Sequence, residues 1–146
     1  MREIVEALED APRWLNEAAL RIASRVAERP AAEEWSFLEL VAHVSASASI
    51  GAPRIAQILV RPGTPLTAFD ERRWAELISR TNVSLDTQLK MFELQRQQLV
   101  AILQTISLDD WAQIGVHESL GSITVLDVAN QLVAHERAHR SQARAL

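Results

Sequence analysis

Histidine is the residue type around which chemistry can be built in this chain. Four occur in 146 residues, and two of them stand four apart in His135-Glu136-Arg137-Ala138-His139. On a helix that spacing stacks two imidazoles on one face, close enough for both to ligate one metal ion. They extend a seam of Val128, Leu132, His135, His139 and Gln142, whose steps alternate between four and three residues. Both rings are therefore expected to point inward, where neutral imidazoles need partners and a metal ion supplies one to each. The alternative is a pair of partly buried histidines bonded to side chains of neighbouring helices.

The same five residues match H-E-x-x-H, the signature of zinc metalloproteases. That chemistry needs a third ligand, commonly downstream, and residues 140–146 contain no His, Asp or Glu. A third ligand is then expected upstream, which is not the protease arrangement. Glu136, one position off the seam, is expected to face solvent or to cap a neighbour. His43 is the first candidate for the third ligand. It shares a helical face with Leu40, Ser47, Ile50 and Arg54, small and apolar near the histidine and charged at the far end. His117, between Gly115 and Gly121, is the second.

The elements that must position these residues read as four helical blocks. Ile4, Leu8, Leu15, Ala18, Ile22 and Val26 recur at helical spacing and predict a first helix to about Glu28, interrupted near Pro12. Ser36 with Glu39 forms a capping-box pattern that opens a second helix running to about Val60, with Pro53 in its last third and Trp35 placed to pack back on Leu40. A loop over 61–67 follows. The third block comprises a short helix from Phe69 to about Arg80 and a long one capped by Ser84, with the stripe Leu85, Leu89, Phe92, Leu99 and Leu103. A long connection over 108–122 leads to the last helix, which starts near Thr124 with Asp127 three residues on. The simplest assembly is an all-α antiparallel four-helix bundle, one domain over 1–146.

Composition excludes several classes. Fifteen basic against nineteen acidic residues give a net charge of −4, which argues against nucleic-acid binding through a basic face. The absence of cysteine excludes a disulfide scaffold, a thiolate metal site and a cysteine nucleophile. No stretch approaches 18 consecutive apolar residues, and the N-terminus lacks a leader pattern, so a cytoplasmic protein with no membrane association is expected. The tryptophans Trp35, Trp74 and Trp111 stand near helix starts or junctions and are read as packing residues.

Taken in order, Trp35-Ser36, Leu40-Val41-Ala42-His43, Phe69-Asp70-Glu71 with Trp74, Arg96 before Leu99 and Leu103, Trp111, and His117 and Gly121 ahead of Thr124, Leu126 and Asp127 lead to His135, His139 and Gln142. This succession resembles the DinB-like superfamily over nearly the whole chain. The resemblance implies a four-helix bundle that binds a divalent metal, zinc or nickel, through His43, His135 and His139, and that often forms a homodimer. It also implies relatedness to bacterial thiol-dependent transferases, and hence a small-molecule substrate such as a low-molecular-weight thiol.

Three protein ligands leave a coordination position open, the mark of a catalytic site, where a water or a thiol becomes a nucleophile near neutral pH. The expectation is therefore a transferase or hydrolase. The alternative is a non-catalytic metal-binding or ligand-binding dimeric bundle. Glu39, one turn before His43, is a candidate to orient that ring or to serve as a base, against a simpler role in the capping box. Arg54 and Arg96 lie on inward-tending faces and are candidates to bind an acidic thiol, against ion pairing with a bundle carboxylate. His117 is a further candidate at the site.

Overall fold

The computed structural model describes residues 1–146. Short polar side chains set the helix starts. The Ser36 hydroxyl accepts from the Glu39 amide at 3.3 Å while Glu39 Oε2 accepts from the Ser36 amide at 2.9 Å, opening α2 (Phe37–Val60). Thr124 and Asp127 form the same reciprocal cap on α6 (Val125–Ala145). Asp70 caps α3 (Glu71–Ser79) and Ser84 caps α4 (Leu85–Thr105). Each such cap satisfies a backbone donor that would otherwise be orphaned and contributes about 1 kcal/mol.

The first helix, α1 (Arg2–Ile22), departs from expectation at both marks. It runs through Pro12 without a break, because Leu8, Ala11, Trp14, Leu15, Ala18 and Ile22 bury one continuous face. That burial outweighs the single backbone bond that proline removes. It also ends six residues early: Ala23 adopts a positive φ of 53°, and a single 3-10 turn over Ala23–Arg25 follows.

The four long helices pack in a ring. Both α1 and α2 contact α4 and α6, so α1 stands diagonally from α2, and α4 faces α6 across the bundle axis. Two apolar cores lie along that axis. One gathers Leu8, Ile55, Ile58, Leu99, Leu103, Trp111, Val128 and Leu132; the other gathers Trp14, Leu15, Phe37, Leu40, Val44, Leu89 and Phe92. No helix is long and apolar enough to cross a membrane.

The connection before α6 is more ordered than a loop. After α5 (Leu108–Trp111), β2 (Ile114–His117) and β3 (Gly121–Thr124) pair antiparallel, and β1 (Pro65–Leu66) joins β2 in parallel. The small sheet packs against α2. A Cβ on Gly115 would stand 2.7 Å from Leu66 Cδ1 and 2.9 Å from Ile58 Cγ1, so glycine lets β2 approach the helix. This sheet is an addition to the all-α bundle read from the sequence. It ties residues 61–67 to the connection and fixes His117 at the end of β2.

Candidate metal centre

Helices α2 and α6 pack side by side, and their facing surfaces bring three histidines together. His43 Nε2 lies 2.8 Å from His135 Nε2, which lies 3.1 Å from His139 Nε2. One ligand atom from each ring falls within 4.8 Å of the other two. His139 Nδ1 sits 3.0 Å from Gln142 Oε1, an acceptor, so Nδ1 carries the proton and the Nε2 lone pair faces the cluster.

Three imidazole nitrogens converging on one another cannot satisfy themselves, since a proton shared by one pair leaves the third without a partner. A divalent cation satisfies all three at once. Imidazole ligands about 2.0–2.1 Å from zinc at tetrahedral angles stand about 3.4 Å apart, so the spacings of 2.8 and 3.1 Å need to open by only about 0.6 and 0.3 Å. The residues present fit a metal ion.

Electrostatics keeps the rings neutral. Burial, reinforced by repulsion from His139 and Arg72, pushes His43 down to about 4. Burial with repulsion from His139 and His43 pushes His135 down to about 4 as well. Burial also lowers His139, against the opposing pull of Gln142 and Glu71. Neutral imidazole is the form that ligates metal.

Two further residues frame the cluster, and sequence reasoning did not assign either to it. Trp35 was read as junction packing, yet its ring lies 4.7 Å from that of His43 and stacks at 18° against His139, 6.0 Å away. Trp35 precedes the Ser36 cap and lies outside α2, so helical spacing offered no signal for this contact. Glu71 Oε2 lies 3.8 Å from His135 Nε2. The short helix was expected from Phe69 and starts at Glu71, capped by Asp70; the approach of Glu71 to His135 depends on α3 docking across α2.

The remaining candidates are placed elsewhere. Glu39 does not orient His43: its carboxylate is held by Arg29, the Ser36 amide and the Ser36 hydroxyl. The Arg29 guanidinium and the cap lower it to about 2, and the inner Nδ1 of His43 is left without a protein partner. Arg96 is 2% exposed and pairs with Glu136 across the bundle axis, so it is not free to receive a substrate. Glu136 in turn is 4% exposed, not solvent-facing, because α6 is packed on both sides and buries a wider arc than its seam. Burial pushes its carboxyl up against the pull of Arg96. His117 is not among the three clustered rings; it lies beside Arg54 at 3.2 Å. Arg54 does reach the site, lining with Ser47, Gly51, Glu71 and His135 a cleft of about 180 Å³. Trp35 and Arg72 line another, of about 330 Å³, together with Ala75, Glu76 and Ser79 of α3.

The family model of the DinB superfamily matches residues 7–143. A protein of Oceanobacillus iheyensis named "Putative metal-dependent hydrolase" is 28% identical over 105 residues, which is 72% of this chain and 60% of that protein's length. The fold superposes on YfiT from Bacillus subtilis with a TM-score of 0.88 at 18% identity, covering 99% of this chain and 83% of that one. That structure is described as "a probable metal-dependent hydrolase with an unusual four-helix bundle topology". Matched by the family model over residues 7–143, the chain belongs to the DinB superfamily.

Proposed function

We propose that this protein is a metal-dependent enzyme that holds zinc or nickel on His43, His135 and His139 and activates water, or a low-molecular-weight thiol, for attack on a small-molecule substrate. The observation that carries the reading is the convergence of three neutral Nε2 atoms beside an open cleft and a carboxylate. When bound, a divalent ion supplies Lewis acidity and brings the pKa of a ligated water or thiol into the neutral range.

The chain's own residues divide the remaining work. Gln142 fixes the tautomer of His139. Trp35 walls one side of the rings with an apolar surface. Glu71 stands on the open side, 3.8 Å from His135 Nε2, where it accepts the proton of the incoming nucleophile. The metal-dependent hydrolase names of the two similar proteins support the hydrolytic form. Family resemblance supports the transferase form, and it also supports a homodimer.

The test compares zinc-loaded and nickel-loaded protein with metal-free protein on ester and amide hydrolysis and on thiol conjugation. Turnover is expected in a loaded form alone, and Glu71→Gln should lower kcat about 10²-fold or more while retaining the metal. Turnover that survives complete removal of the metal would contradict the proposal.

A further inference from the structure

His117 is 94% buried, and its ring has a bonding conflict that the protein does not resolve by itself. The backbone amides of Ser119 and Leu120 both donate to Nδ1, at 3.1 and 3.2 Å. A neutral imidazole carries one proton, so two donors on Nδ1 place that proton on Nε2. Nε2–H then faces Arg54 Nη2, another donor, at 3.2 Å. The opposite tautomer would satisfy Arg54 at the cost of two backbone amides. Arg54 Nη2 is already anchored by donating to the Thr67 carbonyl at 2.7 Å. Two anchored donors therefore sit side by side with no acceptor between them.

The geometry points to a carboxylate-binding subsite formed by Arg54 and His117, so that the substrate of the adjoining centre is a carboxylate-bearing molecule. An oxygen pair spanning the two nitrogens turns the donor–donor clash into two charge-assisted bonds. Arg54 lines the same cleft as His135 and Glu71, a cavity of about 180 Å³, and its contact with His117 joins that ring, which does not itself line the cleft, to the place where the reacting end of a small molecule would lie. The local charge selects the class. One guanidinium and one neutral ring N–H match a monoanion, while Glu71, on the same wall and coupled electrostatically to Arg54, opposes a dianion such as phosphate. The link to a substrate rests on the metal-centre reading; the anion contact itself does not.

The test uses metal-free protein labelled with ¹⁵N-histidine, titrated with acetate and separately with inorganic phosphate. The His117 ring should show the Nε2–H tautomer, its Nε2 resonance should move with acetate, and phosphate should bind more weakly. Arg54→Gln should weaken acetate binding about ten-fold or more, with Arg54→Lys intermediate. An Nδ1–H tautomer, a His117 ring unmoved by acetate, unchanged affinity in a folded Arg54→Gln protein, or tighter binding of phosphate would each overturn the subsite. Zinc uptake measured on the same preparation separates the two claims. A protein that takes up zinc but leaves His117 unmoved by acetate loses the subsite and keeps the centre; one that binds acetate but no zinc does the reverse.

Discussion

Two neighbouring residues of α6 face opposite polar clusters. His135 turns to α2 and meets His43 and His139; Glu136 turns across the bundle axis and meets Arg96. The second cluster answers its own charge. Arg96 sits in α4 between the core residues Phe92 and Leu99, its guanidinium 4.9 Å above the Phe92 ring, and bridges the two apolar cores. The first cluster brings together three rings whose nitrogens cannot all be satisfied by one another, beside a cleft and a carboxylate. Burial of polar groups is common to both. What separates the two clusters is charge: Arg96 and Glu136 balance each other, whereas the three histidines present like groups to one another.

The comparison is broken most forcefully at Arg96. Arg96→Ala or Glu136→Ala leaves one buried charge uncompensated and should cost about 3–5 kcal/mol in urea unfolding, with metal uptake unchanged wherever the variant folds. Arg96→Met combined with Glu136→Leu should be neutral or stabilising, because Arg96 Nη1 and Glu136 Oε2 are buried without partners even in the intact pair. A double variant as unstable as the singles would show that the pair does more than balance its own charge.

At the histidines the expected effects invert. His43→Ala should abolish metal uptake yet change the unfolding free energy of metal-free protein by less than about 1.5 kcal/mol, since the ring it removes is neutral and its Nδ1 has no protein partner to leave behind. A loss as large as that at Arg96 would make the histidines structural.

The pH response sharpens the contrast. His43 and His135 titrate at about 4 in the fold against 6.5 for an ordinary histidine. Between those values the unfolded chain binds protons that the fold excludes. The stability of the metal-free protein should therefore fall as pH drops from about 6.5 towards 4, and these groups should contribute no slope above that range. Thermal melts across the interval measure it, and the slope should flatten in His43→Ala.

The smallest expected effect lies at the start of the helix that carries His43. Ser36→Ala removes one half of the capping box and should cost about 1 kcal/mol without altering metal uptake. Denaturant midpoints at unchanged m-value check it.

Features set by near neighbours in the chain were legible in the sequence. The Ser36/Glu39 and Thr124/Asp127 caps, the Ser84 cap and the bundle's long helices depend on residues three or four apart. The His135–His139 pair was legible for the same reason, and His43 joined it through a face argument and a family resemblance. Features set by docking were not legible. Glu71 and Trp35 reach the rings because α3 crosses α2 and the segment before α2 folds back on it, which no periodicity encodes. Glu136 was misplaced because a helix packed on two sides buries more than one stripe. The sheet was missed because its strands span two to four residues, and the glycine that admits it, Gly115, signals close approach only once Leu66 and Ile58 are in place.

Metal content tests the central claim most directly, measured by elemental analysis on protein purified without a metal-affinity column and then loaded with zinc or nickel. About one ion per chain is expected in the intact protein, with none retained by His43→Ala or His135→Ala. An intact protein that takes up neither metal, or variants that hold it as well as the intact protein does, would contradict the assignment of His43, His135 and His139 as a metal centre.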